Sequence, residues 1–581
     1  MGWERDLRPM RTFRVRIFVG LGCFGAVVAG LSTASAGDAP LAPLIQKGSV
    51  VEVQILAIND FHGNLEPPAG SSGRVGTVNA GGAAFLATHV KALEQTNRNS
   101  IVVSAGDLIG ASPLLSGLFH DEPTIEAMNA IGLDLNAVGN HEFDEGTTEL
   151  LRMQNGGCHP IDGCLDGDDF GGADFDFLAA NVVSQSTGKP LFAPYSIENF
   201  NGAKVAFIGM TLEGTPTIVS PSGVAGFTFL DEADTVNALV PELTRRGVEA
   251  IVVLIHEGGF PTALNPNGCT GVSGPIIDIV NRLDDEVDLV ISGHTHQPYV
   301  CTIDGKPVTS AFSFGRIVTD IDMSVDRAKK DVTSISINNK IVTRDVTPDP
   351  TVGTLITRYN AIAAPIANRV IGSITATLDR VPDASRENSL GNVIADAQLA
   401  ATAGPAVGQA VAAFMNPGGV RADLTFPSSP AGEGNGVVTY GEAFAVQPFG
   451  NLLVTMTLTG TQLETMLEQQ FCGVNDTTFR VLLPSAGVHY TWDASVAGTA
   501  DPGCTLDAVS GLTINAVPVV AGSTYRITVN IFLADGGDGF SILPSGTSRL
   551  GGAVDTDAFE AYLDAVGSVS PPALTRIDVV P

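Results

Sequence analysis

Seven side chains of metal-binding type follow short apolar runs in the first half of the chain. They are Asp60, His62, Asp107, Asn140, His256, His294 and His296. Carboxylate, amide and imidazole groups bind divalent cations, and two cations held side by side can catalyse hydrolysis. One polar residue at a strand end is often only a cap, but seven in this arrangement predict a two-metal hydrolytic centre.

The segments that carry these residues have the pattern of β-strands ending in polar loops. They span 55–64, 101–110, 135–144, 251–259 and 288–297. Helix-like stretches at 81–95, 122–132 and 232–247 alternate with strand-like ones, which indicates a layered α/β fold. Ligands bind at the carboxyl ends of strands in such sheets, so we expect the seven side chains to meet in one crevice.

A polar, proline-containing stretch at 345–351 separates this region from a second one. A helix-like segment interrupted by Pro365 follows, and the remaining chain mixes strands and helices with glycine-rich turns. We therefore predict two α/β domains joined by a helical linker. The predicted bounds are 1–36 for a signal peptide, 37–347 for an α/β-sandwich domain, 348–371 for the linker helix and 372–581 for a smaller α/β domain.

The first 36 residues have the layout of a cleavable secretory signal. Five arginines precede an apolar run at 17–31, which leads into Ala34, Ser35 and Ala36. A membrane anchor is the alternative, but the run is short for a span of about 20 residues. We expect an exported protein, periplasmic or extracellular, with no stable membrane insertion after cleavage.

The number and spacing of the cysteines are consistent with export. Without Cys23 of the leader, six remain, and no CxxC motif suggests a metal site among them. Their spacing favours the local pairs Cys158–Cys164, Cys269–Cys301 and Cys472–Cys504, although sequence leaves other connectivities open. Three disulfides would suit an oxidising compartment.

The formal net charge of −31 restricts the partners. A nucleic-acid duplex needs a basic surface on its protein partner, so such a duplex is not expected as a partner. A small anionic substrate would need local arginines or metal ions to overcome the overall negative field.

His141 and Asp144 form a separate candidate pair. They lie three residues apart after a strand, so in a helical turn the carboxylate can hold the imidazole by a hydrogen bond. The alternative is that Asp144 only caps the turn. Glu142 lies between them, and the sequence assigns it no chemistry.

Several motifs carry a family resemblance. NDFHGN, SAGD, GNHEFD and GHTH resemble the signature of calcineurin-like metallophosphoesterases, and NPGGVR with FLADGGDGF resembles the second domain of 5'-nucleotidases. The resemblance covers about residues 50 to 575. It implies two divalent cations (Zn, Mn, Co or Fe) bridged by Asp107, a catalytic dyad of His141 and Asp144, and attack of a metal-bound hydroxide on phosphorus.

The resemblance also implies a nucleotide pocket in the second domain. Phe449 and Phe532 would stack on the base, Asp538 would bind the ribose, and Asn416 and Arg421 would complete the pocket. One departure concerns phosphate binding. The family often has a spaced pair of arginines before its Glu-x-x-x-Gly-Asn helix, whereas here only Arg386 directly precedes Glu387. Arg386 is therefore the candidate substrate-binding residue at this position.

The predicted function is that of an exported, metal-dependent 5'-nucleotidase acting on nucleoside 5'-phosphates. Nucleoside di- and triphosphates and nucleotide sugars are further candidate substrates. The alternative is a 2',3'-cyclic-nucleotide 2'-phosphodiesterase/3'-nucleotidase. Two further alternatives are less favoured. One is a hydrolase of sulfur substrates, since such enzymes have a similar metal domain. The other is a non-catalytic binding protein, which would lack a ligand or dyad residue, whereas none is missing here.

Overall fold

The computed structural model describes residues 49–68, 70–219, 223–248, 250–497, 499–505 and 507–581. The predicted signal peptide, with Cys23, lies outside this part of the chain. Within the described part, every helix is too short or too polar to cross a membrane.

Two six-stranded sheets form the first half. In sheet order, the first contains Asp331–Ile341, Ile317–Asp326, Val50–Ile58, Ser100–Ser104, Leu135–Ala137 and Asp176–Leu178. The second contains Pro298–Ile303, Lys306–Ala311, Leu289–Ser292, Ala250–His256, Ala203–Thr211 and Tyr195–Phe200. The central strands of both sheets pair in parallel, so their carboxyl ends lie on one edge of each sheet.

The two sheets pack face to face with helices outside. Side chains alternate along a strand, so Val53 and Ile55 lie between the sheets with Phe207, whereas Leu56 and Ile58 pack on the outer helices. The helices on the first sheet are Ala83–Glu94, Leu114–Gly117, Glu122–Ile131 and Thr147–Asn155. Those on the second are Glu232–Arg245 and Pro275–Arg282. The predicted layered α/β sandwich is confirmed.

A long helix, Pro350–Ala367, follows the second sheet. Its N-cap is Asp349, whose carboxylate accepts hydrogen bonds from the backbone N–H groups of Thr351 and Val352. The helix continues through Pro365 and ends two residues later. Its residues Val352 and Tyr359 are fully buried in the core of the first half.

The second half contains three smaller sheets. The five-stranded sheet has the order Leu483–Pro484, Ala412–Met415, Thr524–Asn530, Leu452–Thr459 and Thr547–Val554. The others contain Val437–Thr439, Val370–Ile374 and Ser568–Val569, and Val517–Pro518, Val509–Ile514, Val488–Asp493 and Ile577–Val580. The helices are Ser389–Thr402, Tyr440–Val446, Gly460–Glu468, Ala494–Ala497, Ile531–Ala534 and Asp555–Val566.

Two short ribbons and three disulfides complete the described chain. The ribbons pair Val182–Ser184 with Phe227–Phe229, and Arg74–Val75 with Val78–Asn79. The disulfides join Cys158 to Cys164, Cys269 to Cys301 and Cys472 to Cys504, as the local pairing predicted.

Candidate active site

Three of the seven predicted ligands form one group at the strand ends. His296 Nε2 lies 3.2 Å from Asp60 Oδ1 and 3.0 Å from His62 Nε2. Asp60 and His62 follow the strand Val50–Ile58, whereas His296 follows Leu289–Ser292 of the other sheet. The packing of the two sheets therefore brings together residues more than 230 positions apart.

The other four form a second, adjacent group. His256 Nε2 lies 3.0 Å from Asp107 Oδ2, and Asn140 Oδ1 lies 3.2 Å from His256 Nε2 and 2.9 Å from His294 Nδ1. Asp107 Oδ2 is also 3.6 Å from His62 Nε2 of the first group. One carboxylate oxygen thus faces both groups, which is the position of a bridging ligand.

The lone pairs of these side chains are arranged as they would be around bound cations. His62 Nδ1 lies 2.9 Å from the carbonyl oxygen of Gly110, and His256 Nδ1 lies 2.8 Å from that of Ala105. Because those nitrogens donate to carbonyls, each ring, when neutral, presents the lone pair of Nε2 to carboxylate or amide oxygens. Such groups are all acceptors, and divalent cations between them would satisfy every one.

The pKa values of two histidines at these positions are shifted in opposite directions, and both shifts are consistent with a site that binds cations. Burial lowers the pKa of His62 to about 3, so this ring is neutral. Burial also opposes protonation of His256, but the adjacent Asp107 carboxylate outweighs it and raises the pKa of His256 to about 10. Without metal ions, a proton on His256 would supply part of the missing charge.

The backbone at the candidate ligands is unusual. Five of them have left-handed φ angles, namely Asp60 at 49°, His62 at 46°, Asp107 at 51°, His294 at 68° and His296 at 51°. Residues other than glycine seldom adopt this conformation, and such strain concentrates at functional sites.

Two glycines allow the loops to approach one another. A Cβ atom at Gly139 would lie 2.2 Å from Asp107 Oδ1, and one at Gly106 would lie 2.6 Å from His256 Nδ1. The glycines of the SAGD and GNHEFD motifs are therefore required by close packing of the ligand loops.

Glu142 is a residue whose role the sequence did not reveal. Its buried carboxylate accepts hydrogen bonds from the backbone N–H groups of Asp107 (2.9 Å), Leu108 (2.9 Å) and Gly139 (2.7 Å). Burial and the neighbouring Asp107 raise the pKa of Glu142 to about 8. This side chain ties the loop carrying Asp107 to the loop carrying Asn140; its place inside GNHEFD was the only available signal.

The two residues of the predicted dyad, His141 and Asp144, are in contact. His141 Nδ1 lies 2.8 Å from Asp144 Oδ2 within a short helical turn. Burial opposes protonation, but Asp144 and Asp107 together raise the pKa of His141. The His141 ring stacks on that of Phe449 at 5.9 Å, which joins the dyad to the second half of the chain.

A cavity of about 300 Å³ extends from the dyad into the second half. The predicted pocket residues that line it are Asn416, Arg421, Phe449, Phe532 and Asp538. Asp538 Oδ2 accepts a hydrogen bond from Asn416 Nδ2 at 2.9 Å, and the Arg421 guanidinium lies 5.7 Å from the centre of the Phe449 ring. The structure thus brings these five side chains together with His141 and Asp144.

Arg386 does not line this cavity or the adjoining one. Its exposed side chain lies 5.9 Å from the centre of the Phe479 ring. Arg380 instead lines the adjoining cavity of about 530 Å³ with His62, Asp107, His141 and Arg421. The sequence missed Arg380 because it precedes Glu387 by seven residues and only the fold of the intervening loop brings it to the site.

Comparisons with known proteins match both halves. Residues 53–298 match the calcineurin-like phosphoesterase family, and residues 370–545 match the 5'-nucleotidase C-terminal domain family. The chain is 33% identical over 528 residues to the endonuclease YhcR of Bacillus subtilis, covering 90% of this chain but only 40% of that protein. It is 34% identical over 547 residues to the cell wall protein Lmo0130 of Listeria monocytogenes, covering 88% of this chain and 67% of that protein.

One solved structure is similar to this chain over most of its length. The crystal structure of a 5'-nucleotidase precursor from Thermus thermophilus superposes with a TM-score of 0.72 at 26% identity, covering 91% of this chain and 99% of that one. The similarity of fold therefore extends over both halves of the chain.

Proposed function

Because this chain belongs to the 5'-nucleotidase family and is a phosphoric ester hydrolase, we propose that it converts nucleoside 5'-phosphates to nucleoside and phosphate. One observation carries the proposal. The cavity that contains His141 and Asp144 is also lined by Phe449, Phe532 and Asp538. A phosphate at the dyad and a nucleoside between the phenylalanines can therefore belong to one molecule.

Members of this family use divalent cations, and the seven candidate ligands would hold two of them. Asp60, His62 and His296 would bind one, Asn140, His256 and His294 the other, and Asp107 both. When bound, such cations neutralise phosphoryl oxygens and acidify water. Zn, Mn, Co and Fe all suit these ligands.

His141 and Asp144 would act directly on the phosphoryl group. Asp144 engages His141 Nδ1 and fixes the ring, which leaves Nε2 to donate a hydrogen bond to a phosphoryl or leaving oxygen. Arg380 and Arg421 border the same space and would bind the phosphate oxygens. Arg386 has no place in this scheme.

The nucleoside would be held by the second half. Phe449 and Phe532 would stack on the base, which gives affinity with little base selectivity. Asp538, held by a hydrogen bond from Asn416, would accept hydrogen bonds from ribose hydroxyls. The proposed domains are 37–347 and 372–581, with the helical segment 348–371 between them.

Export is part of the proposal. The signal-like sequence at 1–36 and three disulfides support a periplasmic or extracellular location. The similar protein Lmo0130 is described as a cell wall protein, which agrees with secretion of this one.

A phosphate-release panel tests the substrate class. Metal-stripped protein, reloaded with each cation separately, is given AMP, ADP, ATP, a nucleotide sugar and 2',3'-cyclic AMP. We expect AMP to be hydrolysed with the highest kcat/KM. Much faster phosphate release from 2',3'-cyclic AMP than from AMP, by ring opening to 3'-AMP and hydrolysis of that monoester, would instead establish the cyclic phosphodiesterase/3'-nucleotidase alternative.

A further inference from the structure

The lining of the cavity that contains His141 and Asp144 includes an ion pair that no sequence motif indicated. Arg480 Nη1 donates to Asp538 Oδ1, while the other oxygen of this carboxylate accepts from Asn416. The Asp538 side chain is 4% exposed and that of Arg480 34%, and both residues line the cavity. Both side chains of the pair therefore border the cavity.

This pair lies next to one of the two phenylalanine rings. A Cβ atom at Gly537 would lie 2.5 Å from ring atoms of Phe532, so the ring rests directly on the loop that carries Asp538. Asn475 Nδ2 fixes that loop by donating to the backbone carbonyl of Asp538 at 2.8 Å. A sugar attached to a base on the Phe532 ring would therefore lie beside the pair.

The pair has the chemistry to bind a vicinal diol. A guanidinium has five N–H donors and a carboxylate has about four acceptor positions, so both keep unused capacity after pairing. Each hydroxyl of a diol donates one hydrogen bond and accepts others. Adjacent acceptor and donor groups therefore complement two neighbouring hydroxyls better than a carboxylate alone does.

We propose that Arg480 is a specificity-determining residue that, with Asp538, binds the 2',3'-diol of the sugar and makes this hydrolase prefer ribonucleotides to 2'-deoxyribonucleotides. The inference rests on the proposed function, because it concerns the same cavity. The competing explanation is that Arg480 only neutralises and orients Asp538. That role would affect both nucleotide classes equally.

Steady-state kinetics of the metal-loaded enzyme separate the two explanations. The substrates are AMP, dAMP and p-nitrophenyl phosphate, and the variants are Arg480→Met and Arg480→Lys. We expect wild-type kcat/KM to favour AMP over dAMP by about tenfold or more, since a missing hydroxyl leaves polar groups unpaired. Arg480→Met should raise KM for AMP about tenfold and change that for dAMP less than about twofold, with Arg480→Lys intermediate.

The controls address folding and location. Arg549 pairs with Asp535 in the same half of the chain but is absent from the cavity lining, so Arg549→Met should leave all three substrates unaffected. Hydrolysis of p-nitrophenyl phosphate by the Arg480 variants reports an intact phosphoryl site.

Three results would overturn the inference. Equal losses on AMP and dAMP in Arg480→Met would assign Arg480 the orienting role, and unchanged kinetics on both would remove any role. A wild-type ratio of kcat/KM for AMP to kcat/KM for dAMP near one would also contradict the inference. If wild-type protein cleaves p-nitrophenyl phosphate but neither nucleotide, the proposed function itself fails.

Discussion

Asp107 is the side chain on which the two candidate ligand groups converge. Its Oδ2 faces His62 and His256, and its Oδ1 accepts from the backbone N–H of His141 at 2.9 Å. In Asp107→Asn an amide replaces the shared carboxylate and removes one negative charge from the cluster. We expect loss of turnover and fewer than two metal ions per chain by elemental analysis, whereas Asp285→Asn at a fully exposed position should retain both.

His141 is expected to act in phosphoryl transfer without holding metal. Its ring contacts Asp144, and it is absent from the two groups of candidate ligands. His141→Ala should lower kcat on AMP by about 10² or more, as for loss of a general acid, and leave the metal content unchanged. Full activity of this variant would show that the dyad assignment is wrong.

The two phenylalanines should affect nucleotides selectively. Phe449→Ala and Phe532→Ala remove ring faces worth about 1–3 kcal/mol of base stacking each, so KM for AMP should rise by about tenfold or more. Hydrolysis of p-nitrophenyl phosphate, which has no base, should stay within about threefold of wild type. Similar losses on both substrates would exclude the stacking role.

At the scale of elements, a histidine cluster connects the Cys158–Cys164 loop to the segment after the dyad. His120 Nδ1 lies 2.7 Å from Glu145 Oε2, and its Nε2 lies 3.0 Å from Asp162 Oδ2. The His159 ring stacks on that of His120 at 3.9 Å. Burial opposes protonation, but Glu145, Glu149 and Asp162 raise the pKa of His120 from 6.5 to about 9.

A raised pKa in the folded state makes this contact pH-dependent. The protonated form is favoured by folding, so its stabilisation is complete below about pH 6.5 and is lost as pH rises through about 9. His120→Gln should therefore lower Tm by about 2–4 °C at pH 6 and by much less at pH 10. His489→Gln, in an exposed pair with Asp578, is the matched control. Identical Tm differences at both pH values would contradict the assignment.

At the scale of the whole molecule, bound cations should stabilise the fold as well as catalyse. The ligand loops come from both sheets and meet at facing acceptor groups, so a ligand bound only by the folded state raises the free energy of unfolding. At a cation concentration 1,000 times Kd this contribution is about 4 kcal/mol. Chelation should lower Tm in scanning calorimetry and reloading should restore it, whereas Asp107→Asn should respond weakly. An unchanged Tm after verified metal removal would refute this coupling.

The sequence by itself determined the layered fold and the residue types of the site. Apolar runs with alternating helix-like stretches sufficed to predict the sandwich, because hydrophobic periodicity is a local property of a segment. Asp60, His62, Asp107, Asn140 and the three later histidines could be selected because each follows a predicted strand. The local cysteine pairs were likewise visible in the spacing.

Only the tertiary structure decided how these residues meet. Asp60 and His296 have a left-handed backbone, and Glu142 joins two ligand loops by hydrogen bonds. Arg380, and not Arg386, lines the cavity beside the candidate ligands. These features depend on loop geometry, which hydrophobic periodicity does not predict. The pairing of Arg480 with Asp538 joins positions 58 residues apart across separate elements. The residue types of the candidate metal ligands are therefore readable from sequence, whereas the contacts of Glu142 and Arg480 form only when the sheets and loops pack.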